Sequence, residues 1–150
     1  MRVILQRVKE ASVKIEGEIH GKIGEGLVIL LGIGKDDGPQ DIEWLVHKII
    51  NLRIFNDEKG LMNKSLLDIN GNALIISQFT LHAKTKKGHR PSYMNAANPE
   101  IAKEIYKQFI EEFNRKIPQE VQTGKFGAMM DVALINHGPV TIFIDSKNRE

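Results

Sequence analysis

The N-terminal part of the chain constrains the fold most, because it contains three strand-like runs separated by short turns. Apolar and polar side chains alternate over residues 2–8, and the period of two continues over 11–15. A turn at 16–18 leads to a return run at 19–23, and residues 27–33 form a continuous apolar run. Alternation predicts strands with one buried face, and the continuous run predicts a strand buried on both faces. The chain therefore begins as consecutive strands with hairpin-like connections.

Two later segments have helical spacing. Apolar residues recur every three or four positions over residues 42–50 and again over 101–113. At residues 98–100, a capping Asn, a proline and an early Glu favour the start of the second helix, and Pro118 ends it. Further strand-like runs occupy residues 52–55, 72–81, 121, 129–135 and 140–144. Isolated helices among consecutive strands predict one α+β domain over residues 1–150, with an antiparallel or mixed sheet.

Composition excludes several classes of protein. The chain has 150 residues, of which 41% are hydrophobic and 27% are charged, as in ordinary globular domains. It has no cysteine, which excludes disulfides, thiol catalysis and thiolate-bound metals. No apolar run approaches the ~20 residues of a membrane span, and residues 1–7 lack the apolar core of a signal peptide. We therefore expect a soluble cytoplasmic protein with no membrane contact.

Basic residues are concentrated in one segment, although the net charge is only +2. Residues 81–99 contain no acid, and they hold the cations Lys84, Lys86, Lys87 and Arg90. Such a cluster, with Tyr93 as its one aromatic residue, is compatible with binding to nucleic-acid phosphates. It is equally compatible with an ordinary solvated loop, so the charges alone leave both interpretations open.

Most catalytic motifs are missing from the sequence. It has no phosphate-binding loop, no dinucleotide fingerprint, no zinc-type histidine spacing and no serine nucleophile elbow. One candidate site remains at the polar end of the 72–81 strand, since strand ends are common places for sites. The candidate residues there are Ser77, Gln78, Phe79 and Thr80. The alternative is that these side chains simply face solvent.

Gly138-Pro139 is the second candidate, and it lies between two strand-like runs. Proline removes a hydrogen-bond donor from a sheet, so it indicates a break or a specialised turn. An ordinary turn with a trans bond is the alternative, and the sequence does not decide between the two isomers.

The two candidate motifs together resemble the D-aminoacyl-tRNA deacylase family of the Gly-cisPro type. The resemblance is carried by SQFTL at residues 77–81 and NHGPVT at 136–141, with MRVILQRV at the start of the chain. The segments KGHRPSY at 87–93 and TGKFGAMM at 123–130 also fit. Each motif is weak alone, whereas both in this order and at this separation are specific. His137 departs from the acidic residue that often precedes the Gly-Pro pair in the family, but the pair itself is intact.

The resemblance implies a barrel-like α+β fold, a homodimer and an ester hydrolase. The substrate would be tRNA carrying a D-amino acid, or mischarged glycine, on its terminal adenosine. Residues 77–80 of one subunit would form the pocket, and the backbone of Gly138-Pro139 from the other would reject an L side chain. Arg7 would brace that Gly-Pro segment, and Met129 would lie in the substrate site. The resemblance implies no metal and no organic cofactor.

The resemblance also gives the basic residues and Thr80 possible roles. We expect the four cations between residues 84 and 90 to contact phosphates of the acceptor stem. Thr80 is a candidate nucleophile, but a threonine hydroxyl needs a base, and none is adjacent in sequence. The resemblance favours water activated with the ribose 2′-hydroxyl, and backbone N–H groups near Phe79 and Thr80 that hold the oxyanion. A dimeric tRNA-binding module without catalysis and a general hydrolase of small esters remain as alternative functions.

Overall fold

The computed structural model describes residues 1–149, which form eight strands, two α-helices and a short 3-10 turn. In chain order the elements are β1 (Arg2–Ile15), β2 (Glu18–Ile23), β3 (Gly26–Gly32), α1 (Pro39–Asn51), β4 (Phe55–Asn56), β5 (Met62–Lys64), β6 (Asn72–Ser77), the 3-10 turn (Phe79–His82), α2 (Pro99–Lys116), β7 (Gln122–Thr123) and β8 (Asp131–Asp145). Both predicted helices are confirmed, and the Asn98 side chain caps α2 by accepting a hydrogen bond from the Glu100 N–H. Within residues 1–149, no helix is long and apolar enough to cross a bilayer.

β1 organises a six-stranded mixed sheet. Its first half pairs antiparallel with β3 and its second half with β2, while β8 runs antiparallel along it. β3 pairs parallel with β6, and β6 pairs parallel with β7. β2 and β7 lie at opposite ends of this order but close in space, since a Cβ added to Gly21 would lie 3.0 Å from the Thr123 carbonyl oxygen. The sheet is therefore nearly closed, which confirms the predicted barrel-like α+β fold.

Two apolar clusters fill the molecule, one beneath the helices and one inside the curved sheet. The helices contribute Ile42, Leu45, Val46, Ile49, Ile50, Ala102, Tyr106, Phe109 and Phe113 to the first cluster. β3 contributes to both, since Leu27 and Ile29 belong to the first cluster and Val28 to the second. The predicted burial of this strand on both faces is confirmed.

β6 ends within the polar motif, so that Ser77 is the last residue of the strand while Phe79 and Thr80 lie on a turn. The sequence pattern predicts one strand over residues 72–81, but the strand ends after 77 and Phe79–His82 form the 3-10 turn. The chain folds here across Gly32, where an added Cβ would lie 2.9 Å from the Gln78 carbonyl oxygen. The missing side chain at Gly32 makes room for the turn.

β8 is one continuous strand where the sequence pattern predicts two. It passes through Gly138 and Pro139 without ending. Among residues 1–149, β8 pairs only with β1, so its other edge is free and a proline there need not cost a ladder hydrogen bond. The register against β1 shifts between Gln6 and Val8, opposite this segment.

The remaining differences are small. The sequence predicts a strand over residues 52–55, but only Phe55–Asn56 pair in β4. The preceding backbone finds other partners, because the Leu52 N–H closes α1 and the Ile54 carbonyl oxygen accepts a hydrogen bond from Arg7. The strand expected at residue 121 begins one residue later, at β7.

Candidate active site

A cavity of about 680 Å³ lies where the end of β6, the 3-10 turn and the loop before β8 meet the start of α2. Four of the site residues predicted from the sequence line it, namely Ser77, Gln78, Phe79 and Met129. Phe79 is 58% exposed and Met129 is 90% exposed, so this wall of the cavity opens to solvent. Large apolar side chains with this much exposure are typical of a surface that a ligand or partner covers.

Thr80 lies directly beside the cavity wall. Its hydroxyl oxygen accepts a hydrogen bond from the Gln78 side-chain amide. Within residues 1–149, no ionisable side chain is hydrogen-bonded to this hydroxyl. The N–H groups of Phe79 and Thr80 begin the 3-10 turn and so have no partner inside it. The turn thus presents two backbone donors and one hydroxyl, without a base to activate the hydroxyl.

Gly138 and Pro139 lie apart from the cavity, on an exposed stretch of β8, and neither belongs to its lining. The peptide bond between them is cis. A single chain therefore does not bring its own Gly-Pro segment together with its 77–80 motif.

Arg7 contacts the Gly-Pro segment directly. It is 5% exposed, and its Nε donates to the His137 carbonyl oxygen at 2.8 Å. Its Nη1 donates to the Ile54 carbonyl oxygen at 2.7 Å and to the Asn56 Oδ1 at 3.2 Å. The bond to residue 137 uses the main chain, so it does not depend on the unusual histidine side chain. This geometry is what a bracing residue requires, while the role in chiral selection remains a prediction.

The four predicted tRNA-binding cations are exposed on a closed loop, residues 84–92, which we call the basic loop. Lys84 and Ser92 close it by exchanging two backbone hydrogen bonds, at 2.8 and 3.0 Å. Among residues 1–149, Lys84, Lys86, Lys87 and Arg90 form no salt bridge. Tyr93 follows the loop and lines the cavity, so the charges lie next to the candidate site.

His82 ends the 3-10 turn but does not serve the cavity. Burial lowers the pKa of its imidazole, which is 7% exposed, and its Nε2 has no hydrogen-bond partner within residues 1–149. It lines a separate, smaller cavity on another side of the turn. In the same range of residues, no group of three or more His, Asp or Glu side chains is placed to hold a metal ion.

Sequence reasoning missed the apolar part of the cavity wall. Ala96, Ala102, Phe126 and Met130 line it beside the predicted residues. Phe126 and Met130 belong to the 123–130 segment, from which only Met129 is predicted. The signal in the sequence that could have indicated this wall is the pair of alanines just before the Asn98 cap, because small side chains leave room for a ligand.

Comparison with known proteins agrees with these features. Residues 4–145 match the family model of D-Tyr-tRNA(Tyr) deacylase. The chain is 56% identical to a D-aminoacyl-tRNA deacylase of Bacteroides thetaiotaomicron, with 100% of both chains covered. It is also 56% identical to the D-aminoacyl-tRNA deacylase of Thermosipho africanus, with 98% of each chain covered. The chain belongs to the D-Tyr-tRNA(Tyr) deacylase family.

Two solved structures share the fold. One, described as a c-Myc DNA unwinding element binding protein, superposes with a TM-score of 0.92 at 41% identity, covering 97% of this chain and 98% of that one. The other, a probable eukaryotic D-amino acid tRNA deacylase, superposes with a TM-score of 0.80 at 17% identity, covering 95% and 97%. The second likeness concerns the fold alone.

Proposed function

We propose that this protein hydrolyses the ester that joins a D-amino acid, or mischarged glycine, to the terminal adenosine of tRNA, releasing the amino acid and free tRNA. Full-length relatives named D-aminoacyl-tRNA deacylase support this activity. The observation that carries it is the cavity, in which a mostly apolar wall ends in the polar side chains of Ser77 and Gln78. Its volume of about 680 Å³ falls in the range of small-molecule sites, which suits an aminoacyl-adenosine end.

The active unit that we propose is a homodimer in which Gly138-Pro139 of the partner subunit completes the cavity. Exposed apolar side chains support an interface beside β8, since Ile135 is 51% exposed and Phe143 is 57% exposed. The free edge of β8 is a second supporting feature, because a two-fold axis there would join identical surfaces. The cavity lies at the start of the same strand, where Val132 contributes to its lining.

Chiral selection follows from backbone placed against the α-carbon of the bound amino acid. Gly138 has no side chain to obstruct a close approach, and Arg7 holds the preceding carbonyl in place. An L side chain would collide with this backbone, while a D side chain would point away from it. Discrimination of this kind works by excluding the wrong substrate, so many D-amino acids could be accepted.

In the proposed reaction, water attacks the ester carbonyl, the C–O bond to the ribose breaks and the ribose oxygen takes a proton. The ribose 2′-hydroxyl of the substrate helps to activate the water. The two N–H groups that begin the 3-10 turn stabilise the negative oxygen that forms. Thr80 binds the substrate in this scheme, because its hydroxyl is bonded by Gln78 and no base accompanies it.

We propose that the basic loop holds phosphates of the acceptor stem, and its four exposed cations beside the cavity support this.

We also infer a cytoplasmic location, because charged tRNA is consumed there in translation. A second candidate function, a dimer that binds nucleic acid without catalysis, is favoured by the same loop and by the name of one solved relative.

Hydrolysis of D-tyrosyl-tRNA, compared with hydrolysis of D-tyrosine ethyl ester by the purified protein, tests the function. We expect rapid loss of the tRNA ester and no acceleration for the simple ester. Equal acceleration of both esters would indicate a general esterase, and binding of tRNA without ester loss would indicate the non-catalytic module. Ala128→Trp, which fills the cavity, should abolish hydrolysis while the basic loop still binds uncharged tRNA.

A further inference from the structure

We propose that Tyr93 is a positioning residue that couples the basic loop to the cavity through Phe79. The inference rests on the proposed function and adds that the acceptor stem raises the rate of hydrolysis as well as the affinity. Both ends of the basic loop adjoin the cavity wall, which makes such coupling mechanically direct.

The start of the basic loop is tied to the 3-10 turn. The Ala83 N–H donates to the Thr80 carbonyl oxygen at 3.0 Å, and Lys84 follows at once. The paired hydrogen bonds between Lys84 and Ser92 then hold both ends of the loop together. If bound phosphates displace the loop, the displacement therefore reaches both the 3-10 turn and Tyr93.

The end of the loop reaches the wall through an aromatic pair. The Tyr93 ring packs edge-on against Phe79, with ring centroids 5.1 Å apart and an interplanar angle of 72°. Both rings line the cavity, and both are partly open to solvent, at 38% and 58%. Each ring thus restricts the orientation of the other, because edge-on aromatic pairs have a preferred geometry.

The main chain after Tyr93 is attached to the fold, and the Ala96 N–H donates to the Tyr93 carbonyl oxygen at 3.0 Å, so the Tyr93 ring is the link between the basic loop and Phe79. The Ala97 N–H donates to the Ile33 carbonyl oxygen at 2.9 Å, which attaches the following residues to the end of β3. A loop held by phosphates would fix the Tyr93 ring, and the ring would fix Phe79 and the N–H groups of the turn. Correct placement of groups that act in the transition state raises kcat, whereas contacts made equally in the ground state lower only KM.

Steady-state kinetics of wild type, Tyr93→Ala and Tyr93→Phe on two substrates test the coupling. D-Tyrosyl-tRNA has an acceptor stem, and D-tyrosyl-adenosine has none. We expect the ratio of their kcat values to fall by about three- to tenfold in Tyr93→Ala, as loss of an aromatic pair implies. Tyr93→Phe keeps the ring and should keep the wild-type ratio. The salt dependence of KM should be unchanged in both variants, because the cations remain.

Two outcomes would overturn the inference while leaving the proposed function intact. One is an equal fall in kcat for both substrates, which indicates a merely structural role, and the other is no change in kcat for either substrate. If the wild type hydrolyses neither substrate, the proposed function fails first, and the inference fails with it. A variant that combines Tyr93→Ala with Lys86→Ala and Lys87→Ala gives a second measurement. If the lysines act on kcat through Tyr93, its kcat ratio equals that of Tyr93→Ala alone. A further fall in the ratio from the lysine substitutions would contradict the coupling.

Discussion

Two features require glycine at position 138: its backbone conformation and the closeness of Arg7. Its φ is +132°, a conformation that L side chains rarely adopt. A Cβ there would lie 2.8 Å from Nη2 of Arg7 and 2.9 Å from Cγ2 of Val140. Any side chain would therefore push against the arginine that holds the residue 137 carbonyl.

Gly138→Ala should weaken chiral selection, because it displaces Arg7 and the backbone proposed to exclude L side chains. We expect the ratio of D- to L-tyrosyl-tRNA hydrolysis rates to fall by at least about tenfold, equivalent to 1.4 kcal/mol. Gly17→Ala is the matched control, since Gly17 has a φ of +82° and nothing within 4 Å of an added Cβ. Gly17→Ala should lose about 1–2 kcal/mol of stability to backbone strain, and Gly138→Ala should lose at least as much, because its added Cβ also meets Arg7 and Val140. The same ratio in both variants would contradict the assigned role.

Thr80→Ala should slow the reaction without abolishing it. Loss of one neutral hydrogen bond to the substrate implies a fall in kcat/KM of about three- to tenfold. Mass spectrometry of quenched reactions of the wild type should show no acyl group on the protein. An adduct on Thr80, together with complete loss of activity in the alanine variant, would make Thr80 the nucleophile.

The elements differ in how far local sequence decides them. α2 follows from its own residues, because the Asn98 cap and the apolar period both lie within the segment. The 3-10 turn does not, since Phe79 and Thr80 favour a strand by propensity and the turn depends on the distant Gly32. The continuity of β8 depends on its edge position, which no pattern within the strand reveals.

Some residues of the candidate site are likewise indicated by local sequence, while others join the site only through folding. The polar end of the 72–81 run indicates Ser77 and Gln78 from sequence alone, and both line the cavity. Ala96 and Phe126 come from other segments and meet them only in the folded chain. The contact of Arg7 with the residue 137 carbonyl joins positions far apart in sequence, so only the resemblance pointed to it.

The basic loop should carry much of the salt dependence of tRNA binding. Lys86→Ala combined with Lys87→Ala removes two exposed charges, and each lost phosphate contact lowers the salt slope by roughly 0.7–0.9. We expect the slope of log Kd for tRNA against log salt concentration to fall by about 1.5. Lys103→Ala with Lys107→Ala, on an exposed part of α2, removes the same charge and should leave the slope unchanged. Equal slopes in all three proteins would exclude phosphate contacts by these lysines.

At the scale of the whole molecule, Asp41 joins the start of α1 to the end of β8. It is 5% exposed and accepts hydrogen bonds from Ser146 Oγ at 2.6 Å, Lys147 Nζ at 2.8 Å and the Gly38 N–H at 2.9 Å. Burial alone would raise the pKa of this carboxyl, but the bonds from Lys147, Ser146 and Gly38 outweigh it and lower the pKa to about 2. The folded protein therefore favours the ionised form.

This pKa predicts a loss of stability in acid. A pKa of about 2 in the folded state, against 3.8 ordinarily, contributes stability above pH 4 that disappears as the pH falls from 4 towards 2. The contribution is about 2 kcal/mol at neutral pH. Urea unfolding of Asp41→Asn should show a weaker decline between pH 4 and 2 than wild type. Glu10→Gln, at an exposed position, should behave as wild type, and identical declines in all three would refute this role of Asp41.

Hydrolysis of matched D- and L-tyrosyl-tRNA by the purified protein tests the central claim of D-specific deacylation most directly. Both esters are prepared on the same tRNA, and the loss of each is followed over time against the spontaneous rate. We expect rapid loss of the D ester while the L ester decays at its spontaneous rate. Loss of both at similar rates would show that Gly138-Pro139 does not select chirality, and loss of neither would contradict the deacylase activity itself.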